Sequence, residues 1–151
     1  MRILVQRSLK SSVSVDGKTI GKIDRGLVLL VGFTYGDSEK EIDYLINKVL
    51  HLRIFDDENG VMNKSILDVG GSILSVSQFT LYADTKKGNR PSYVKALDSI
   101  NAVKLYKIFN ERLSKYVKVE TGKFGAEMKV NITNDGPITI LLEKGCADDK
   151  K

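Results

Sequence analysis

The sequence has little of the side-chain chemistry on which most enzyme sites depend. It contains one cysteine, Cys146, and one histidine, His51, so neither an internal disulfide nor a zinc site has a ligand set. Glycine motifs for phosphates or dinucleotides are also absent. We interpret Cys146 as a free surface thiol and His51 as a partly buried residue at a helix end. Catalysis would have to rely on hydroxyls, amides, backbone donors or the substrate itself, without a metal or other cofactor.

Long hydrophobic runs are missing as well. No apolar segment approaches the ~20 residues that a membrane helix needs, and the apolar stretch between Arg2 and Arg7 is too short for a secretion signal. We therefore expect a cytoplasmic protein with no membrane partner. The 151 residues, 42% hydrophobic and 28% charged, are typical of one globular domain. A net charge of +5 suits a partner that carries phosphates but does not require one.

Hydrophobic periodicity predicts about eight strands and two helices. A hairpin is indicated by the Asp16-Gly17 turn, and one helix by a capping box at Ser38 and Glu41 before apolar residues at helical spacing. A second helix is predicted from Ser99 to Tyr116. Because strands come in blocks rather than in strict alternation with helices, we predict a single-domain α+β fold. Its sheets should be mainly antiparallel or mixed, with a barrel-like core and two principal helices.

Residues 71–83 are predicted to form a strand whose second half turns polar. In an alternating strand, Gln78 and Thr80 share one face, and Ser77 and Phe79 share the other. A solvated strand edge explains this pattern, and so does a strand that runs out of the core into a ligand pocket. Thr80 is branched at Cβ, which restricts its χ1 angle and would keep its hydroxyl well aimed.

A polar loop follows this strand. It holds Lys86, Lys87 and Arg90 within five residues. Most such clusters are solvated loops. Beside a polar pocket, however, these side chains would be able to hold phosphates through their charge and through the planar donors of arginine.

Two turns near the C-terminus are also open to two interpretations. Phe124 lies between Gly122 and Gly125, either as a turn residue tucked into the core or as a surface on which a base stacks. Gly136-Pro137 lies between two strand-like runs, where such pairs usually form a hairpin turn. Local pattern does not decide whether that turn also takes part in chemistry.

Five segments of the chain together have the order and spacing of one enzyme family. They are "LRIFDDENGVMN" (52–63), "SQFTLYAD" (77–84), "KGNRPS" (87–92), "ETGKFGAEM" (120–128) and "NDGPIT" (134–139). From residue 1 to about residue 143 the chain closely resembles the D-aminoacyl-tRNA deacylases, once called D-tyrosyl-tRNA deacylases. We assign residues 1–145 to a domain of this kind and expect residues 146–151 to form a disordered polar tail.

The resemblance implies a homodimer that binds the aminoacylated 3′ end of tRNA and hydrolyses its ester bond to a D-amino acid. Gly136-Pro137 of one subunit, joined by a cis peptide, would project into the pocket of the other. Backbone carbonyls there would collide with an L side chain and admit a D side chain, so the pair would act as a chirality filter. Glycyl-tRNA would pass the filter too. Arg7 would support this turn at the interface.

The resemblance also assigns roles within the pocket. The catalytic motif would consist of Ser77, Gln78, Phe79 and Thr80. Thr80 would lie beside the scissile carbonyl, as nucleophile or as a positioning group, while backbone N–H groups near Gln78 and Phe79 would stabilise the oxyanion. Water, assisted by the neighbouring ribose hydroxyl, would then be the attacking group. The terminal adenosine would be held by Phe124, Gly125 and Met128.

Two other functions fit parts of the sequence. A nucleic-acid-binding module without hydrolytic activity would explain the basic charge and the lysine-rich loop. Such a module has no evident need for Gln78 and Thr80 together with Gly136-Pro137. A purely structural β domain that dimerises would predict no salt-dependent affinity for RNA.

Overall fold

The computed structural model describes residues 1–145, and the expected tail, with Cys146, lies outside the described residues. Within them the strands are β1 Arg2–Ser8, β2 Ser11–Val15, β3 Lys18–Ile23, β4 Gly26–Gly32, β5 Phe55–Asp56, β6 Met62–Lys64, β7 Ser72–Ser77, β8 Val119–Thr121, β9 Lys129–Asn131 and β10 Asn134–Glu143. The helices are α1 Glu39–His51, α2 Ile66–Val69 and α3 Ser99–Leu113, with a 3₁₀ turn at Phe79–Tyr82.

One mixed sheet organises the molecule. Its strand order is β10-β1-β4-β7-β8, in which β1 runs antiparallel to both of its neighbours and β4, β7 and β8 run parallel to one another. A second sheet has the order β3-β2-β9, and β5 pairs with β6. The predicted α+β fold with two principal helices is confirmed. None of the sheets in residues 1–145 closes into a barrel. The core instead lies between the five-stranded sheet and the helices on one face, and between the two larger sheets on the other.

The core has two parts, one on each face of the central sheet. Leu27, Leu29 and Val31 of β4 point into the larger part, which α1 and α3 cover. Val28, between them, points to the other face and packs in a smaller cluster with Leu74 and the three-stranded sheet. β4 is therefore buried on both faces, which explains its uninterrupted apolar sequence.

Helix signals in the sequence are confirmed with small shifts. At the start of α1, Ser38 N donates to Glu41 Oε2 at 2.7 Å, so the capping box is formed. α1 ends at His51, which is exposed rather than partly buried. α3 ends three residues before Tyr116: after the buried Leu113 the chain forms a tighter turn, in which Tyr116 N donates to Leu113 O at 3.0 Å. In residues 1–145 no helix is long and apolar enough to cross a membrane.

The hairpin expected around Gly136-Pro137 is wrong, whereas the one at Asp16-Gly17 is confirmed. Asp16 and Gly17 have φ angles of 50° and 76° between paired β2 and β3, as a tight hairpin turn requires. In contrast, β9 pairs with β2, and β10 pairs with β1. Gly136-Pro137 lies inside β10, because the residues on both sides of the pair form hydrogen bonds with β1 rather than with the preceding strand, β9.

Candidate active site

A cavity of about 370 Å³ opens where the parallel strands β4 and β7 end. The carboxyl ends of parallel strands are the usual place for a ligand in such sheets. Its walls come from the end of β4, the turn after β7, the segment before α3, the start of α3, and the loop after β8. The lining residues are Val31, Gly32, Phe33, Ser77, Gln78, Phe79, Tyr93, Ala96, Leu97, Ser99, Ala102, Phe124 and Gly125.

The prediction that one strand continues to residue 83 is wrong, because the strand ends where the chain reaches the cavity. β7 ends at Ser77, and Gln78 leads into the 3₁₀ turn. The turn is held to β4, since Gln78 N donates to Val31 O at 2.7 Å. Gln78 and Thr80 therefore do not share a strand face. The turn instead brings them together, and Gln78 Nε2 donates to Thr80 Oγ1.

Gly32 allows this turn to lie against β4. A Cβ atom on Gly32 would lie 2.9 Å from Gln78 O and 3.2 Å from Leu81 Cβ. Because the first contact is with backbone, a larger residue would displace the turn. The glycine that ends the apolar run of β4 was a sequence signal for this close approach, and our reading of the sequence missed it.

Several hydrogen-bonding groups at the turn remain available to a ligand. The N–H groups of Phe79 and Thr80 begin the 3₁₀ turn and have no acceptor among residues 1–145. The N–H of Gln78 is occupied by Val31, so it cannot also serve as an oxyanion donor. Ser77 is among the residues that line the cavity, and the Thr80 hydroxyl, which accepts from Gln78, keeps its own proton free to donate.

The rest of the cavity is mostly apolar. Its lining contains no carboxylate, histidine or cysteine. Phe79, with 57% of its surface exposed, packs edge-on against Tyr93 with ring centroids 5.1 Å apart. Among residues 1–145 no three His, Cys, Asp or Glu side chains gather as metal ligands would. The polar side chains that the lining offers are the hydroxyls of Ser77, Tyr93 and Ser99 and the amide of Gln78.

The Phe124 wall is held from behind by Tyr106 on α3. The two ring centroids are 5.9 Å apart, and the Tyr106 hydroxyl donates to Ser75 O at 2.8 Å. Burial raises the pKa of Tyr106, so its hydroxyl stays neutral. Met128 lies elsewhere: it packs against Gly122 and the smaller core cluster, and it does not line the cavity.

Gly136-Pro137 projects from the sheet edge as a bulge. β10 pairs with β1 at Asn134 and again at Thr139, so residues 135–138 all lie opposite the single residue Arg7. The Gly136-Pro137 peptide is cis, as the resemblance implies, and both residues are exposed. Gly136 has a φ of +124°, a region that residues with side chains rarely adopt.

Arg7 lies under this bulge and is 8% exposed. Its Nη1 donates to Ile54 O at 2.9 Å, and its Nε donates to Asp135 O at 3.3 Å. The Asp135 carboxylate is 3.2 Å from the same Nε. Arg7 therefore ties the bulge to the segment after α1.

The structure divides the predicted site residues into two groups. Around the cavity it brings together Ser77, Gln78, Phe79, Phe124 and Gly125, with Thr80 joined to them through Gln78. Away from the cavity lining it leaves Arg7, Met128, Gly136 and Pro137. Sequence reasoning also missed the wall supplied by β4, by Tyr93 and by the start of α3, since these segments come together only in the fold.

Comparison with known families points to one activity. A sequence model of the family described as D-Tyr-tRNA(Tyr) deacylase matches residues 4–143. A D-aminoacyl-tRNA deacylase of Halalkalibacterium halodurans is 51% identical over 144 residues, which are 95% of this chain and 99% of that protein. The protein of the same name from Brevibacillus brevis is 53% identical with the same coverage.

Solved structures with the same fold extend this relationship. The c-Myc DNA unwinding element binding protein is 42% identical, with a TM-score of 0.92 over 97% of this chain and all of that one. A probable eukaryotic D-amino acid tRNA deacylase is 17% identical, with a TM-score of 0.81 over 93% of this chain and 97% of that one. This second likeness shows the fold alone.

Proposed function

The chain belongs to the D-Tyr-tRNA(Tyr) deacylase family, and we propose that it hydrolyses the ester bond of D-aminoacyl-tRNA to release the D-amino acid and free tRNA. One observation carries the proposal. The Ser77–Thr80 turn lies at an apolar cavity of about 370 Å³: Ser77, Gln78 and Phe79 line it, Thr80 is hydrogen-bonded to Gln78, and the N–H groups of Phe79 and Thr80 have no acceptor among residues 1–145. The reaction serves as chirality proofreading in the cytoplasm.

The cavity receives the terminal adenosine and its esterified amino acid. Phe124 offers an aromatic face, backed by Tyr106, on which a base stacks. Gly125, with a φ of +77° and open space where a Cβ would stand, leaves room for backbone approach. Met128 supports the cavity indirectly, because it packs against Gly122 in the loop that carries Phe124.

The chemistry uses stabilisation of charge rather than a strong base. As water attacks the ester carbonyl, negative charge develops on its oxygen, and donors fixed in advance at that position lower the barrier. The N–H groups of Phe79 and Thr80 are such donors. The Thr80 hydroxyl, oriented by Gln78, positions the reacting groups, and Ser77 contributes a second hydroxyl. The ribose hydroxyl next to the ester assists the water, and no metal is required.

The chirality filter comes from a second copy of the chain. Gly136 and Pro137 do not line the cavity of their own subunit, yet they form an exposed bulge that Arg7 supports. In a homodimer each bulge enters the partner cavity. Its backbone carbonyls then approach the substrate α-carbon so closely that an L side chain has no space. Because glycine has no side chain, glycyl-tRNA passes the filter and is hydrolysed as well.

The deciding experiment compares D-tyrosyl-tRNA with L-tyrosyl-tRNA under single-turnover conditions, with glycyl-tRNA as a third substrate. We expect rapid loss of the D and glycyl esters while the L ester is spared. Equal loss of the two tyrosyl esters would keep the hydrolase and refute the filter. Loss of neither would leave a nucleic-acid-binding module. Sedimentation of the active species tests the dimer, since an active monomer would refute the cross-subunit filter.

A further inference from the structure

The loop between the 3₁₀ turn and α3 has a fixed base. Asp84 N donates to Ser92 O at 2.8 Å, and Ser92 N donates back to Asp84 O at 2.9 Å. The Asp84 carboxylate accepts from Lys86 N at 3.0 Å, and this hydrogen bond lowers the pKa of Asp84. Further along, Leu97 N donates to Phe33 O at 3.0 Å. The base of the loop is therefore fixed at a defined place on the surface.

This loop concentrates cations that lack an acidic partner. Lys86, Lys87 and Arg90 are exposed, and none of them forms an ion pair within the described residues. Lys95, at the end of the loop, lies 3.7 Å from the Asp84 carboxylate. By contrast, the arginines of β1 and the arginine near the end of α3 each pair with carboxylates. The loop thus carries more positive charge than its one carboxylate, Asp84, neutralises.

The segment 92–96 is a wall between two cavities. On one side, Tyr93 and Ala96 line the candidate active site. On the other side lies a groove of about 340 Å³, called here the lysine groove, whose lining residues are Asp84, Lys86, Lys87, Ser92, Val94 and Lys95. A polymer whose end occupies the active-site cavity can cross this single wall into the groove. Along an RNA strand, the phosphates that precede the terminal nucleotide supply one negative charge each.

We propose that the lysine groove, with Arg90 at its rim, binds the phosphates of the tRNA nucleotides that precede the esterified 3′ end. This inference rests on the proposed function, because it assumes that the terminal nucleotide occupies the neighbouring cavity. Lysines bind phosphates as point charges without reading the bases. The groove therefore supplies affinity that is shared by all tRNAs, while the cavity and its filter select the amino acid.

The test removes two of the charges without removing their carbon chains. In the double variant Lys86→Gln/Lys87→Gln, each lost phosphate contact lowers the slope of log affinity against log salt by about 1. We expect uncharged tRNA to bind the variant on the order of 10²-fold more weakly than the wild type at 50 mM salt, with a salt slope shallower by about 2, so that the difference narrows as salt rises. With D-tyrosyl-tRNA, KM rather than kcat carries the loss.

A matched control tests whether position or net charge matters. Lys22 and Lys118 are also exposed and unpaired, but they line a groove at the amino ends of β4 and β7, the opposite edge of the sheet from the cavity. Lys22→Gln/Lys118→Gln changes the net charge by the same amount. We expect its salt slope to stay within about 0.5 of the wild type. Equal losses in the two double variants, or an unchanged slope in the loop variant, would overturn the proposal.

Binding of uncharged tRNA and hydrolysis of the D ester are two separate measurements, and together they distinguish this inference from the proposed function. If the wild type binds uncharged tRNA through the loop but hydrolyses no D ester, the groove stands and the proposed hydrolysis is refuted. If it hydrolyses the D ester and the loop variant keeps the wild-type KM and salt slope, the hydrolase stands and the groove is refuted.

Discussion

Arg7 Nε donates a hydrogen bond to the carbonyl oxygen of Asp135 at 3.3 Å, across the β1–β10 pair and one residue before Gly136. This contact joins a nearly buried guanidinium to the base of an exposed bulge. The same side chain donates to Ile54 O at 2.9 Å, so one residue fixes the bulge against the segment that follows α1. The position of Gly136-Pro137 thus depends on Arg7, which stands 128 positions before Asp135 in the chain.

Arg7→Ala should loosen the bulge and leave two carbonyl oxygens without their donor. We expect a loss of about 1–3 kcal/mol in the free energy of unfolding. We also expect the rate constant for deacylation of D-tyrosyl-tRNA to fall, even under conditions in which the variant stays folded. Arg53→Ala is the control, since exposed Arg53 also donates to a carbonyl, Asn63 O at 3.1 Å, away from the bulge. Urea denaturation and single-turnover kinetics give the two quantities. A fully active Arg7→Ala protein would contradict a supporting role for Arg7.

Gly136→Ala tests the bulge itself. A Cβ there would lie 2.9 Å from Ile138 Cγ1 and 3.3 Å from Arg7 Nη2, on a backbone with φ of +124°. We expect the backbone to shift and the discrimination between D- and L-tyrosyl-tRNA to fall by at least about tenfold, equivalent to about 1.4 kcal/mol. Gly60→Ala is matched in having a positive φ, +73°, but meets nothing within 4 Å. Unchanged discrimination in Gly136→Ala would show that the bulge does not act as the filter.

Thr80→Val removes a hydroxyl and keeps the shape of the side chain. Gln78 Nε2 then loses its acceptor, and the turn loses the group that positions the reacting atoms. We expect kcat to fall about 10²-fold with a small change in KM, a magnitude typical of one lost donor at a reacting centre. Thr80→Ser retains the hydroxyl and should recover most of kcat. If Thr80→Val were as fast as the wild type, the hydroxyl would have no part in the reaction.

Gly32→Ala tests whether the turn must lie close to β4. The added methyl would lie 2.9 Å from Gln78 O, a backbone atom that cannot rotate away. Overpacking of this kind costs about 1–3 kcal/mol, and here we expect kcat to fall as well, because the displaced turn carries the proposed oxyanion donors. Gly71→Ala is nearly as crowded, with its Cβ 3.1 Å from Gly26 Cα, but stands at the opposite edge of the sheet. It should lower the melting temperature while kcat is retained.

Glu41 should make stability depend on pH. Burial opposes its ionisation, but hydrogen bonds from the Ser38 hydroxyl and backbone N–H outweigh burial and lower the pKa below 4.5. A lowered folded-state pKa stabilises the fold above about pH 4.5, and that contribution is lost as the pH falls through the folded value. Glu41→Gln keeps an acceptor oxygen and removes the charge. Its stability deficit in urea should therefore be present at pH 7 and disappear near pH 3; a deficit equal at both pH values would contradict this.

The Ser77–Thr80 turn shows what the sequence pattern could not predict. Alternation predicted that Gln78 and Thr80 share a strand face, and the resemblance assigned both to the catalytic motif. Their actual proximity arises from a 3₁₀ turn that Val31 O holds through Gln78 N. Alternation describes a strand only while its ladder continues. Here the ladder ends at Ser77, and a hydrogen bond from another strand redirects the chain.

At the bulge, the local sequence predicted an irregularity but not the strand with which it pairs. The Gly-Pro pair in a strand-rich segment correctly indicated a break in regular pairing, and the family resemblance implied the cis peptide. The expected hairpin was wrong because the partner of β10 is β1, which lies more than 120 residues away in sequence. No local sequence pattern specifies which distant strand will form backbone hydrogen bonds with a given strand.

The sequence by itself determined the features that depend on near neighbours. The Ser38–Glu41 capping box, the Asp16-Gly17 turn, the two long helices and the α+β class all follow from hydrogen bonds or periodicity within about a dozen residues. Tertiary structure alone decided which strands pair, where β7 ends, and how β4, Tyr93, α3 and Phe124 enclose one cavity. Those outcomes depend on contacts between distant segments, whose energies are settled only when the whole core packs.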